Sequence, residues 1–221
     1  IRKSENELKL ITKSLENKST NLEIYQGGFG PFFIKPHYFS TQFEYEIADK
    51  YYNWSRNEMI KCKQIPLFRK FNVNLKNIQP VKKILLINNS WPFFQKFGTQ
   101  PAFEATIKNF DDQIKFLNII KNGFHEIIIK NQPYEHEMFN KYEIYKKNKL
   151  EKYISNKKLN FLVKDAFPVC SYLGTPFLEF MANDIPFITF FRPSQFSSNS
   201  KANYYLQNFK KFNFIYYNPK N

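Results

Sequence analysis

From Val81 onward, short apolar runs alternate with longer stretches in which apolar residues recur every three or four positions. Residues 83–87, Lys-Ile-Leu-Leu-Ile, have the continuous apolar character of a buried strand. The polar run Asn88-Asn89-Ser90-Trp91-Pro92 ends it, and Ile107, Phe110, Ile114 and Leu117 then mark one face of a helix with Gly123 as its stop signal. The same spacing predicts a second strand over residues 125–130 and a helix over residues 135–153. Further short strands are expected near residues 159–163, 169–172 and 186–191, with a helix over residues 176–183 between the last two. Strands alternating with helices predict an α/β protein, a parallel sheet with helices on both faces. Ligands bind such sheets beyond the carboxyl ends of the strands, so residues 88–91, 130–134 and 171–175 are expected to line one crevice.

The first third of the chain is less regular. Leu8, Ile11 and Leu15 predict a helix over residues 5–17, and residues 21–25 a short strand. That strand runs into Gln26-Gly27-Gly28-Phe29-Gly30-Pro31, where three glycines within four residues signal a tight backbone path or close approach of another group. A helix is expected over residues 43–52, followed by Asn53-Trp54-Ser55. The polar, unpatterned residues 72–79, closed by Pro80, predict a linker and divide the chain into units of residues 1–78 and 79–221. The opening residues Ile1-Arg2-Lys3-Ser4 lead into a helix start and not an apolar signal core, so the chain is expected to be part of a longer protein.

Composition narrows the function classes. With 221 residues, 43% of them hydrophobic, the chain can bury the core of one or two domains, and it is too apolar for a disordered tail. It contains no run of about eighteen apolar residues, the length of a spanning helix. Cys62 and Cys170 are the only cysteines and share no CxxC spacing, which excludes a disulfide scaffold and fits a cytoplasmic protein. The formal charge of +14 invites a nucleic-acid reading. Much of the excess, however, lies in residues 141–164, where eight Lys face two Glu on an expected surface helix and the loop after it. A solvated helix face accounts for most of it; attraction to an anionic substrate or lipid surface comes second, and DNA or RNA third. No nucleic-acid partner is therefore expected.

The sharpest local signal is Ser171-Tyr172-Leu173-Gly174-Thr175-Pro176-Phe177-Leu178-Glu179. Thr175 suits an N-cap and Pro176 the first helical position, so a helix is expected to begin directly after a strand and offer its N–H groups to a phosphate. Gly174 would let a ligand approach the backbone, and Glu179, one turn in, would either accept hydrogen bonds from sugar hydroxyls or simply face solvent. The three histidines and two cysteines are too scattered for a metal site, and no metal or other cofactor is expected. P-loop, dinucleotide and GxSxG motifs do not occur.

This segment, continued through Met181-Ala182-Asn183-Asp184-Ile185-Pro186-Phe187-Ile188, resembles the donor-binding stretch of glycosyltransferases of the two-domain GT-B type. It is similar, more closely, to a bacterial group of surface-carbohydrate transferases, the LIC12162 family. Three motifs carry that resemblance in matching order: the glycine loop from Tyr25 to Gly30, the Asp49-to-Trp54 segment, and the box from Tyr172 to Glu179. The resemblance implies Rossmann-like domains and metal-independent transfer of a sugar or related group from a nucleotide-activated donor to a glycan or lipid-linked acceptor. It places Lys130, Ser171, Gly174, Thr175 and Glu179 on the donor side and Gly27, Gly28 and Gly30 on the acceptor side. Position at the strand ends adds Arg192 to the donor side, and Asn89 and Ser90 as loop groups on the acceptor side that either contact donor or acceptor or only shape a turn. Lys130 stands where the family more often has Arg; it reads either as a point charge on a diphosphate or as a surface lysine. Arg192 reads as a second positive group or as the start of an exposed loop. The loop histidine of the family is replaced by Gln26, and a glutamine cannot take a proton as a general base. His37 is the nearest substitute in sequence, and an inactive binding or scaffold protein is the alternative. Such a transferase is expected in the cytoplasm, with peripheral contact at the inner membrane face through the basic segment.

Overall fold

The computed structural model describes residues 12–13, 16, 21–25, 44–54, 62–65, 71, 83–88, 103–121, 123, 126–131, 141–193 and 200–217. The glycine loop with Gln26, Gly27, Gly28 and Gly30, together with His37, Asn89, Ser90 and the expected linker, lies outside them. Among the described residues there are two parallel sheets. The smaller has β1 (Glu23–Tyr25), β2 (Lys50–Asn53) and β3 (Cys62–Gln64) in the order β1-β2-β3. One face of it carries the Lys50–Glu23 ion pair at 3.1 Å and the stacked Tyr25 and Tyr52 rings, 4.5 Å between centroids. The other face buries Tyr51 and Asn53.

The helix expected over residues 43–52 is corrected here: among the described residues 44–47 are helical, and 50–53 form β2. In Lys-Tyr-Tyr-Asn burial alternates with period two, and the ladders to β1 and β3 satisfy the backbone, so adjacent tyrosines favour the strand.

The larger sheet contains β4 (Lys83–Ile87), β5 (Glu126–Lys130), β6 (Phe167–Cys170), β7 (Ile188–Phe190) and β8 (Ile215–Tyr216), all parallel, in the order β5-β4-β6-β7-β8. Alternation along the strands divides its core into two layers. Leu86, Ile127, Ile129, Val169 and Phe190 pack with Phe110, Leu117 and Ile120 of α1 (Phe103–Lys121) and Tyr145 of α2 (Lys141–Lys147). Leu85, Ile87, Cys170 and Ile215 pack on the opposite face. That layer takes Leu159 and Leu162 of α3 (Leu159–Leu162), Phe177 and Phe180 of α4 (Thr175–Ala182), and Leu206 and Phe209 of α5 (Ser200–Lys211). The fold is thus α/β and Rossmann-like, with helices on both faces of a parallel sheet. Numbered within the sheet the strands run 2-1-3-4-5, which puts the reversal of winding between β4 and β6. Phe71, which precedes this sheet in sequence, packs on Phe180 at 5.5 Å and donates its N–H to Asn183 Oδ1 at 3.0 Å.

Three further expectations are corrected. Residues 159–163 are not a strand but the single turn of α3, because Leu159 and Leu162, three apart, are buried while Asn160 and Phe161 between them are exposed. The helix expected over residues 135–153 is described only as α2, which stops before Lys149 at φ 56 and gives way to a 3-10 turn, Glu151–Tyr153. The cap of α4 is Gly174, in extended backbone and without a side-chain cap; Thr175 and Pro176 are already in the first turn.

Candidate functional site

β4 and β6 lie side by side and end together at Asn88 and Ser171. Both residues are fully buried, so their polar atoms must be matched within the protein. Asn88 donates its N–H to the Lys130 carbonyl at 3.0 Å, and its Nδ2 donates to Asn131 Oδ1 at 3.2 Å. The same amide nitrogen donates to Tyr145 Oη. Ser171 Oγ donates to the Ile87 carbonyl at 3.1 Å and lies 3.4 Å from Asn88 Oδ1. Three strand ends are thereby tied across the point where the winding reverses.

Helix α1 closes this cluster from the side. Asn109 Nδ2 donates to the Ser171 carbonyl at 2.7 Å, and Gln113 Nε2 donates to Asn109 Oδ1 at 2.6 Å. Gln113 Oε1, also buried, accepts no hydrogen bond among the described residues. Next to them Asp112 forms a two-pronged pair with Arg192, Nε to Oδ2 at 2.6 Å and Nη2 to Oδ1 at 2.8 Å. The Asp112 side chain is 4% exposed and the Arg192 side chain 39%. Hydrogen bonding to Asp112 raises the guanidinium pKa above its ordinary value. This pair fastens the end of β7 to α1.

The residues expected on the donor side fall on two faces of the sheet. Ser171 and Arg192 bond to α1 residues. Lys130, the half-buried last residue of β5, alternates with Ile129 and so projects to the α4 face, as Ile128 does. Gly174, Thr175 and Glu179 belong to α4 or its cap. β4 separates Lys130 from β6 by two strand spacings, about 10 Å.

Gly174 has a specific steric role. A Cβ there would lie 2.0 Å from Tyr172 Cε2 and 2.7 Å from Cδ2, so the absent side chain leaves room for the buried Tyr172 ring. Thr175 is half-buried. Glu179 is buried, not facing solvent, and its carbonyl accepts from Asn183 Nδ2 at 2.7 Å. Burial chiefly, and then the Glu179 carboxylate, push the Cys170 thiol pKa far up, so Cys170 stays a neutral core residue.

Asn109, Asp112 and Gln113 were not singled out from the sequence, although a signal was present. They interrupt the inward side of α1 around its midpoint, where Phe110, Ile114 and Leu117 are apolar, at the level where Asn109 reaches the Ser171 carbonyl beyond the end of β6. Polar residues on an otherwise apolar helix face mark a buried polar site.

A search of curated proteins gave no match. A family model described as LIC12162 family transferase matches residues 5–221, nearly the entire chain. That coverage includes both sheets and all three sequence motifs, and on it the chain belongs to the LIC12162 family of transferases.

Proposed function

We propose that this transferase moves a sugar or a related phosphate-linked group from a nucleotide-activated donor to a surface-glycan precursor, a glycan or lipid-linked acceptor. The observation that carries this reading is the 2-1-3-4-5 strand order, with the tied ends of β4 and β6 at its reversal and α4 beginning at Thr175 just beyond. The first turn of α4 supplies N–H groups and a positive dipole end for a diphosphate, with no metal required. In this scheme Thr175 donates to the phosphate, Lys130 adds a point charge, and Glu179 accepts from sugar or ribose hydroxyls. Residues 1–78 and 79–221 form the acceptor and donor units of a GT-B arrangement, with Gln26, Gly27, Gly28, Gly30, Asn89 and Ser90 lining the acceptor side. Because Gln26 cannot accept a proton, His37 or another group serves as base. The enzyme works at the inner face of the membrane, in the cytoplasm.

A second reading, a binding or scaffold protein that transfers nothing, is favoured by two contacts. The Tyr172 ring fills the space over Gly174, and Arg192 is committed to Asp112.

Thermal shift with UDP, GDP, CDP and CMP, on the native chain and on Thr175→Ala, separates the two. One nucleotide raising the midpoint, with the rise lost in Thr175→Ala, supports donor binding; saturation at a hundredfold over Kd adds about 2.7 kcal/mol. Silence to all four nucleotides supports the scaffold, and salt-sensitive stabilisation by a short RNA alone would remove both.

A further inference from the structure

Helix α5 and the turn after it present a surface that the transfer chemistry does not use. The helix buries Ala202 and rests Leu206 and Phe209 on the apolar layer of the large sheet. Its outer side leaves Tyr204 67% and Tyr205 44% exposed, and the turn into β8 leaves Phe212 68% and Phe214 42% exposed. Asn213, at φ 60, makes that turn in the left-handed region that asparagine tolerates. Single exposed apolar residues are ordinary on a protein surface, but here four exposed aromatic rings fall within residues 204–214, a dense local patch in sequence.

The charge around the patch selects its partner. Residues 200–217 contain Lys201, Lys210 and Lys211 and no Asp or Glu. Lys210 Nζ sits 4.6 Å over the Tyr217 ring, close to the turn. A basic segment that itself carries no acid favours an anionic partner. Phe212 and Phe214 have no polar end and select one with an apolar layer beneath its charge. Lysines beside exposed aromatics are the pattern of a surface that settles into the boundary between anionic headgroups and acyl chains. Two other occupants fit less well. Tyr204 and Tyr205 meet edge to face at 5.7 Å, which covers one ring face and disfavours base stacking. β8 is an edge strand of two residues, too short to template pairing with a second copy. The lysine-rich residues 141–164 supply charge, but their exposed large apolar side chains are only Tyr142 and Phe161, and Lys141 there is buried.

We propose that residues 204–214 are a docking surface for an anionic membrane, with Tyr204 and Phe212 at the headgroup boundary and Lys210 and Lys211 against lipid phosphates. This does not rest on the donor assignment, and vesicle binding without any nucleotide response would leave it standing. The test is sedimentation of the full chain with phosphatidylcholine vesicles, with and without phosphatidylglycerol. The chain sediments with the anionic vesicles only, and added salt weakens binding. The double variants Tyr204→Ser with Phe212→Ser, and Lys210→Glu with Lys211→Glu, each reduce partitioning by about tenfold or more. All four positions are exposed, and a thermal midpoint close to that of the native chain certifies each variant; if one misfolds, the other decides. Failure to sediment with anionic vesicles overturns the proposal, as does undiminished binding in a folded variant. Binding to an oligonucleotide or self-association in place of vesicle binding overturns it too.

Discussion

On the α1 and α2 face of the carboxyl edge, Asn88, Ser171, Asn109 and Gln113 use most of their polar atoms on one another and on neighbouring backbone. On the α4 face, Lys130 and Thr175 are half-buried, and among the described residues no side-chain hydrogen bond uses either. The first face is neutral amide and hydroxyl chemistry sealed from water, closed by the Arg192–Asp112 ion pair. Such a network fixes geometry without offering a charge to a ligand. The second face keeps a cation and a helix start within reach of solvent. Proximity to a strand end therefore does not by itself make a residue a ligand-binding one: Ser171 and Thr175 are four positions apart and belong to opposite faces.

The largest effect expected is on the sealed face. Arg192→Met leaves the Asp112 carboxylate buried without its partner and is expected to cost about 3 kcal/mol, measured by urea unfolding. Asp112→Ala leaves a guanidinium that still reaches water and is expected to cost less than half as much. Equal losses would mean that the pair is not anchored through the buried carboxylate. Asn109→Leu comes next: it strips a donor from the buried Ser171 carbonyl and an acceptor from Gln113, for about 2 kcal/mol. If that face only holds the strand ends, nucleotide affinity in folded Asn109→Leu stays within about twofold of native. A loss much greater than the stability change would make Asn109 part of a binding site.

These contacts were the least legible part of the sequence. The strands over residues 83–87 and 126–130 and the helix over 103–121 announce themselves because burial on one or both faces writes a long, regular apolar pattern. Short elements do not. Leu159 and Leu162 satisfy a strand-like run as readily as a helical turn, and only the exposed Phe161 reveals the period. β8 is two residues long and owes its form to its ladder with β7, and the apolar spacing did not single it out. The bond from Asn109 to Ser171 spans 62 residues, so its two ends become partners only when the sheet assembles. For the candidate site, the Tyr172-to-Glu179 box located the start of α4 to within one residue, but nothing in it announced that Tyr172 would fold back over Gly174.

Gly174→Ala sharpens the comparison from the other face. The new methyl collides with the Tyr172 ring, and because a ring can swing while backbone cannot, the expected cost is about 1–2 kcal/mol. If Tyr172 blocks the start of α4, a folded Gly174→Ala variant binds the responding nucleotide at least as tightly as native. Weaker binding would mean that the ring itself forms part of the pocket.

The smallest effect concerns the thiols, which report how dry each region is. Burial raises the pKa of both cysteines, that of Cys170 far more. At pH 8 an alkylating reagent is therefore expected to label half-buried Cys62 slowly and Cys170 only after unfolding. The sign of the linked pH effect follows from the same shift. Unfolded thiols ionise near pH 9 while Cys170 in the fold stays neutral, so its stabilising contribution is intact below pH 9 and is lost as pH rises beyond it. Tyr51, buried in the smaller sheet, is shifted up chiefly by burial and then by Glu44, and adds a second loss of the same sign above pH 10. Unfolding midpoints measured from pH 7 to 10.5 should fall only over the upper part of that range, and Cys170→Ala should flatten the earlier portion. A native Cys170 that reacts as fast as Cys62 would show that the layer under α4 opens to solvent, and with it the α4 face would lose the rigidity that a phosphate site requires.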